Sequence, residues 1–104
     1  MQKNNHVLEV AIFTVKDEFV DKLPVIRQGV RESLKEFSGL ISLDTYYPVE
    51  NQKTFVDIAK WDSLENAKAA AVAFESGDKR FLPYMQSIES VKYMGHFNSQ
   101  SSAK

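Results

Sequence analysis

Residues 54–67 read TFVDIAKWDSLENA, and this stretch joins a β-strand to an α-helix with almost no loop between them. Side chains alternate in character from Thr54 to Trp61, which is the period of two that a strand shows. From Leu64 onwards the apolar side chains are instead spaced three and four residues apart, as on one face of a helix. Asp62 is expected to be the N-cap of this helix, with Glu65 as its capping-box partner.

The rest of the chain repeats these two periods in a definite order. Strand-like runs cover residues 7–15, 40–47, 54–61 and 88–97, and helical patterns cover residues 19–37 and the stretch from Leu64. Pro24 predicts that the first regular helix either begins near Leu23 or is kinked there, and Gly39 is suited to follow its C-terminus. The order βαββαβ predicts an α+β, ferredoxin-like fold: a four-stranded antiparallel sheet with helices on one face.

Length and composition narrow the class of protein. The chain has 104 residues, which predicts one domain over residues 1–97, followed by a disordered Ser-rich tail, 98–104. It contains no cysteine, and its 13 basic and 14 acidic residues nearly cancel, so neither a disulfide framework nor a nucleic-acid partner is expected. No apolar run is long enough for a membrane span, so we expect no membrane partner. The absence of cysteine fits a reducing cytoplasm, which is the expected location.

The two faces of the predicted sheet differ in character. Leu8, Val10 and Ile12 form a purely aliphatic face on the first strand, which we expect to lie under the helices. The opposite face is expected to carry four aromatic and three acidic residues: Phe13, Tyr46, Phe55 and Trp61, with Glu9, Asp44 and Asp57. An uncovered aromatic face predicts a homodimer whose sheets pack face to face, and it suits a pocket for a flat apolar ligand equally well.

The chain offers few groups for cofactor chemistry. No nucleotide-binding or metalloprotease motif is present, and His6 and His96 are the only histidines, so we expect no metal, haem or flavin. Paired carboxylates could act as acid and base, or they could be solvated or paired with Lys60, Lys92 or Arg80. His96 could be a catalytic base or a hydrogen-bonded strand residue.

Two segments carry a resemblance to a known family. With Phe37-Ser38-Gly39-Leu40 before the second strand and residues 61–67, WDSLENA, after the third, the chain resembles the antibiotic-biosynthesis-monooxygenase-like family. That resemblance implies a dimeric α/β barrel. It also implies oxidation of an aromatic phenol by molecular oxygen without metal or flavin, with the phenolate supplying the electrons.

The resemblance also implies site residues. Trp61 matches a tryptophan at the end of the third strand, Tyr46 matches a second-strand tyrosine, and Asp57 stands where those enzymes have an asparagine. Arg80 is only a loose match for a later arginine, and the second helix lacks the histidine of many relatives. The predicted catalytic set is therefore Trp61, Tyr46, Asp57 and His96, with Asp57 or His96 accepting a proton.

Related haem-degrading proteins follow a different pattern. They have an asparagine in the first strand, where this chain has Glu9 and Ala11, and a tryptophan and a histidine near positions that hold Ala70 and Arg80.

The expected function is a cofactor-independent monooxygenase acting on an aromatic or quinol-type molecule. The alternatives are a non-catalytic dimeric module that binds a small apolar ligand and an assembly module without a ligand.

Overall fold

A computed structural model describes residues 6–50 and 53–98. The elements are β1 (Val7–Val15), α1 (Leu23–Leu34), β2 (Leu40–Tyr46), β3 (Thr54–Trp61), α2 (Leu64–Glu75), α3 (Leu82–Ser87) and β4 (Ile88–Asn98). Short 3₁₀ turns at Asp17–Lys22 and Lys79–Phe81 lead into α1 and α3. Asn98 thus belongs to β4, and the rest of the predicted tail lies outside the described residues.

The described strands form one antiparallel sheet in the order β2-β3-β1-β4, which confirms the ferredoxin-like fold class. All three α-helices supply residues that pack against the same face of this sheet. Pro24 sits in the first turn of α1, where its missing N–H costs no helical hydrogen bond. The helix therefore begins at Leu23, which is one of the two arrangements that Pro24 predicts.

The face of the sheet under the helices is the aromatic one. Phe13, Phe55 and Trp61 are buried against the helices, whereas Leu8 and Val10 lie on the other face and are partly exposed. The prediction that the aliphatic face lies under the helices is therefore wrong. The physical reason is volume: the buried residues of α2 are alanines, so the sheet must supply the large side chains that fill the core.

The register of β2 corrects a second expectation. An irregularity follows Leu40, and beyond it Thr45 pairs with Asp57 while Tyr46 pairs with Val56. Directly paired residues lie on the same face of an antiparallel sheet. Tyr46, and likewise Asp44, therefore lie on the open face. The prediction that they share a face with Asp57 is wrong, because alternation within one strand does not fix its register against the next.

The junctions at the ends of β2 and β3 are held together by local hydrogen bonds. Ser63, one residue later than predicted, is the N-cap of α2, and its Oγ accepts a bond from the Asn66 N–H at 3.1 Å. Asp62 instead accepts a bond from the Asn66 side chain at 2.8 Å. The Gly39 carbonyl accepts the Asp62 N–H at 2.8 Å, and Gly39 has a φ of +91°.

Gly39→Ala is expected to lower the free energy of unfolding by about 1–3 kcal/mol, because a Cβ there would collide with Asp62 and Asn66 and the left-handed φ would be strained. Gly29→Ala is the matched control. A Cβ at Gly29, inside α1, would meet no neighbouring atom within 4 Å, so this change should stabilise by about 0.5–1 kcal/mol. Urea unfolding measures the free energy of unfolding of both variants. Equal changes in the two variants would contradict the predicted collision and strain at Gly39.

Candidate active site

A cavity of about 310 Å³ lies between the sheet and the helices. Most of its wall is apolar and comes from the sheet and from α1, α2 and α3: Ala11, Phe13, Val30, Leu34, Leu43, Ala59, Ala70, Ala71, Phe74, Phe81, Ile88, Val91 and Met94. Four polar side chains complete the lining, namely Glu9, Asp57, Glu75 and Tyr84. An apolar pocket with a few convergent polar groups is typical of a small-molecule site.

Asp57 lines this cavity and is bound by two partners. Its Oδ1 is 2.7 Å from the Nη2 of Arg27, and its Oδ2 accepts a hydrogen bond from the Tyr84 hydroxyl. The side chains of Arg27 and Asp57 are only 5% and 9% exposed. This ion pair connects the buried stripe of α1 to the centre of β3.

Arg27 is fixed in place by more than the carboxylate. Its Nη2 also donates to the carbonyls of Tyr46 and Val56 at 3.2 and 3.3 Å. The guanidinium lies 5.2–5.9 Å from the ring centres of Phe13, Tyr47 and Phe55, within the range of cation–π attraction. With these contacts the guanidinium is directed towards the sheet, and Arg27 is not among the residues that line the cavity.

Burial controls the protonation of Asp57 and Tyr84. Desolvation raises the pKa of Asp57 above its ordinary value, although Arg27 and the Tyr84 hydroxyl both oppose this change. Desolvation, and then the Asp57 charge, raise the pKa of the Tyr84 phenol well above 10. Tyr84 is therefore a permanent hydrogen-bond donor at neutral pH, and Asp57 is a stronger base than an exposed aspartate.

A second carboxylate, Glu9, joins two of the residues predicted from sequence. Its Oε1 accepts a hydrogen bond from the Trp61 indole N–H at 3.1 Å, and its Oε2 is 3.4 Å from Nε2 of His96 on β4. Desolvation raises the pKa of Glu9, and the contacts with Trp61 and His96 oppose this rise. Trp61 does not line the cavity itself, so its link to the cavity passes through Glu9.

Glu9 and Asp57 lie on the same face of neighbouring strands. Glu9 pairs with Ala59 and Ala11 pairs with Asp57, so the two acidic residues are diagonal neighbours. Such positions are about 7–8 Å apart. The sheet therefore presents two carboxylates to the cavity, one with Arg27 and Tyr84 and the other with Trp61 and His96.

The structure brings together three of the four predicted site residues. Asp57 lines the cavity, and Trp61 and His96 meet at Glu9. Tyr46 lies on the opposite face with its side chain half-exposed, and only its backbone carbonyl contacts the site, through Arg27. Arg80 lies on the surface, paired with Glu36 and Asp78.

Arg27 and Tyr84 are functional candidates that the sequence reasoning missed. The buried residues of α1 are Leu23, Arg27, Val30 and Leu34, spaced four, three and four. Arg27 fits this helical spacing, so a charged residue stands in a buried position of α1. Tyr84 stands in a six-residue helix, which is too short for any period to reveal its direction.

The described residues contain no group of three or more His, Cys, Asp or Glu side chains that could hold a metal ion. Within the same part of the chain, no helix is long and apolar enough to cross a membrane.

Solved structures share this fold, although no protein-family model and no curated protein matches the chain. A candidate antibiotic biosynthesis monooxygenase from Chloroflexus aurantiacus is 14% identical, with a TM-score of 0.71 over 95% of this chain and 97% of that one. SnoaB from Streptomyces nogalater, described as a cofactor-independent oxygenase, is 16% identical, with a TM-score of 0.60 over 96% of each chain.

A protein from an uncultured marine organism, described as a dimeric ferredoxin-like protein, is 13% identical. Its TM-score is 0.66 over 96% of this chain and 92% of that one. The predicted resemblance to antibiotic-biosynthesis-monooxygenase-like proteins is therefore confirmed at the level of the fold. At these identities the likeness extends to the fold alone.

Proposed function

We propose that this protein is a cofactor-independent monooxygenase that oxidises a small aromatic molecule carrying an acidic hydroxyl group. The observation that carries the proposal is the buried Asp57 carboxylate, oriented by Arg27 and Tyr84 at the wall of an otherwise apolar cavity. The fold shared with SnoaB, described as a cofactor-independent oxygenase, supports the same reaction class.

The cavity suits a flat and mostly apolar substrate. Its volume of about 310 Å³ lies at the lower end of the range of ligand pockets, which favours one or two fused rings over a larger polycyclic system. Phe13, Phe74 and Phe81 are among the lining residues and offer ring surfaces for stacking. An apolar wall also excludes water from a reactive anion.

In the proposed reaction Asp57 accepts the proton of the substrate hydroxyl. The resulting phenolate supplies electrons to molecular oxygen, and a ring C–H becomes a ring C=O. One oxygen atom enters this carbonyl, and the other leaves as water with the two hydrogens that the substrate loses. All four electrons that reduce O₂ come from the substrate, so the balance requires no cofactor. Tyr84 stays protonated and positions Asp57.

Of the other residues predicted from the sequence, Trp61 and His96 have supporting roles in the proposed reaction. Trp61 orients Glu9 through its indole N–H, and His96 lies beyond Glu9 with a side chain that is 21% exposed. Both residues therefore position the Glu9 carboxylate at the wall of the cavity. Tyr46 has no part in holding the substrate, because it lies on the other face of the sheet.

We also propose that the chain forms a homodimer through the open face of its sheet. The register places Leu8 opposite Phe97 and Ile12 opposite Tyr93 on this face, beside Ile58 of β3. The rings of Tyr93 and Phe97 are 6.1 Å apart, and both side chains are more than 40% exposed. An apolar face of this kind is rare on a monomer, and the fold is shared with a protein described as dimeric.

Asp57→Asn is expected to lower the rate of oxidation about 100-fold or more, because a positioned general base contributes about 10²–10⁴. Wild-type activity should rise with pH as Asp57 loses its proton, with a midpoint above the ordinary range of an aspartate, since burial raises its pKa. The assay follows oxygen uptake with naphthols and hydroquinones, together with ¹⁸O₂ incorporation into the product.

Asp44→Asn makes the same chemical change on the open face of the neighbouring strand and should leave the rate unchanged. Full activity of a folded Asp57→Asn variant would refute the proposed base. If the wild type binds these compounds but consumes no oxygen with any of them, the ligand-binding module is the function instead.

Ile58→Lys is expected to shift the protein from dimer to monomer at micromolar concentration, because it places a charge in the centre of the open face. Val72→Lys is the control, since Val72 is an exposed valine on α2, on the helical side of the sheet. Sedimentation velocity measures the change. A wild-type monomer, or an Ile58→Lys variant that remains a dimer, would contradict the proposed interface.

A further inference from the structure

The charged groups in the cavity wall carry information about the substrate. Three lining residues are acidic, namely Glu9, Asp57 and Glu75, and none of the described residues that line the cavity is basic. The positive charge closest to Asp57 belongs to Arg27, which is engaged by that carboxylate and by two backbone carbonyls. The wall therefore offers a ligand hydrogen-bond acceptors and negative charge, but no cation.

Glu9 is the carboxylate best placed to accept a hydrogen bond from a bound ligand. Its side chain is 14% exposed and lines the cavity, while Trp61 and His96 each contact one of its carboxylate oxygens. A carboxylate has about four lone-pair sites, so these two partners leave acceptor capacity free. A hydroxyl group on a ligand can fill this capacity, whereas an ether oxygen cannot.

From these contacts we infer that the cavity selects uncharged aromatic hydroxyl compounds and rejects aromatic carboxylates, and that Glu9 is the specificity-determining residue. This inference rests on the proposed function in one respect, that the cavity is the substrate site. A ligand carboxylate would stand against Glu9 and Asp57 in a mostly apolar cavity, where repulsion between like charges is stronger than in water. Arg27 does not relieve that repulsion, because it does not line the cavity and its guanidinium is engaged by Asp57 and two backbone carbonyls.

The test measures binding without oxygen, so that it is separate from the reaction. Isothermal titration calorimetry at pH 8 under argon compares 2-naphthol, 2-methoxynaphthalene and 2-naphthoate, which share one ring system. We expect 2-naphthol to bind at least about tenfold more tightly than 2-methoxynaphthalene, the size of one hydrogen bond to a charged group. For 2-naphthoate we expect affinity at least about 100-fold below that of 2-naphthol.

Glu9→Gln should raise the affinity for 2-naphthoate at least about tenfold and reduce the preference for 2-naphthol over the methoxy compound. Glu32→Gln, the same change on the exposed surface of α1, is the control. It should alter neither the affinity for 2-naphthoate nor the preference for 2-naphthol. Circular dichroism checks that both variants are folded. The comparison of the three probes on the wild type tests the selectivity even if Glu9→Gln does not fold.

The outcomes separate this inference from the proposed function. If 2-naphthol binds with the expected preference but no oxygen is ever consumed, the monooxygenase proposal fails and the selectivity stands. If naphthols are oxidised while 2-naphthoate binds as tightly as 2-naphthol, the selectivity fails and the monooxygenase proposal stands. Absence of binding by all three probes, or a Glu9→Gln variant with unchanged selectivity, would overturn the inference.

Discussion

The buried ion pair between Arg27 and Asp57 is the interaction on which the rest of the structure depends. Removing two charges from water costs several kcal/mol for each ion, and this cost is offset only when the pair and its remaining hydrogen bonds are well formed. Here the guanidinium is 2.7 Å from the carboxylate, donates to two sheet carbonyls, and lies among three aromatic rings. The pair therefore joins α1 to the centre of β3, and its carboxylate stands at the wall of the cavity.

The proposed substrate site and the proposed dimer interface lie on opposite faces of the sheet. Large side chains such as Phe13 and Trp61 meet the small alanines of α2 on one face, and the space that remains is the cavity. The aliphatic side chains are left on the other face, available to a second copy of the chain. A substrate site and an interface can thus use alternate residues of the same strands, because neighbouring side chains point in opposite directions.

Sequence alone predicted the order of the elements and most of their ends, because each strand and helix has its own period and its own end signals. Ser63 replaced Asp62 as N-cap because both can accept the capping bond, and only the backbone geometry decides between them. The face of the sheet on which each side chain lies was less predictable. An irregularity follows Leu40 in the pairing that gives Tyr46 its register, and the partner of Asp57 lies 30 residues earlier, on α1. A charged residue at a buried helix position was the available signal for Arg27.

A double-mutant cycle with Arg27→Met and Asp57→Asn tests most directly whether this ion pair organises the site. Arg27→Met leaves a buried carboxylate without its counter-ion, so it should lower the free energy of unfolding by about 3–5 kcal/mol. Adding Asp57→Asn removes that unpaired charge, so the double variant should be more stable than Arg27→Met alone. If Arg27→Met is nearly neutral and the two effects simply add, the ion pair does not hold the site together and the account is contradicted.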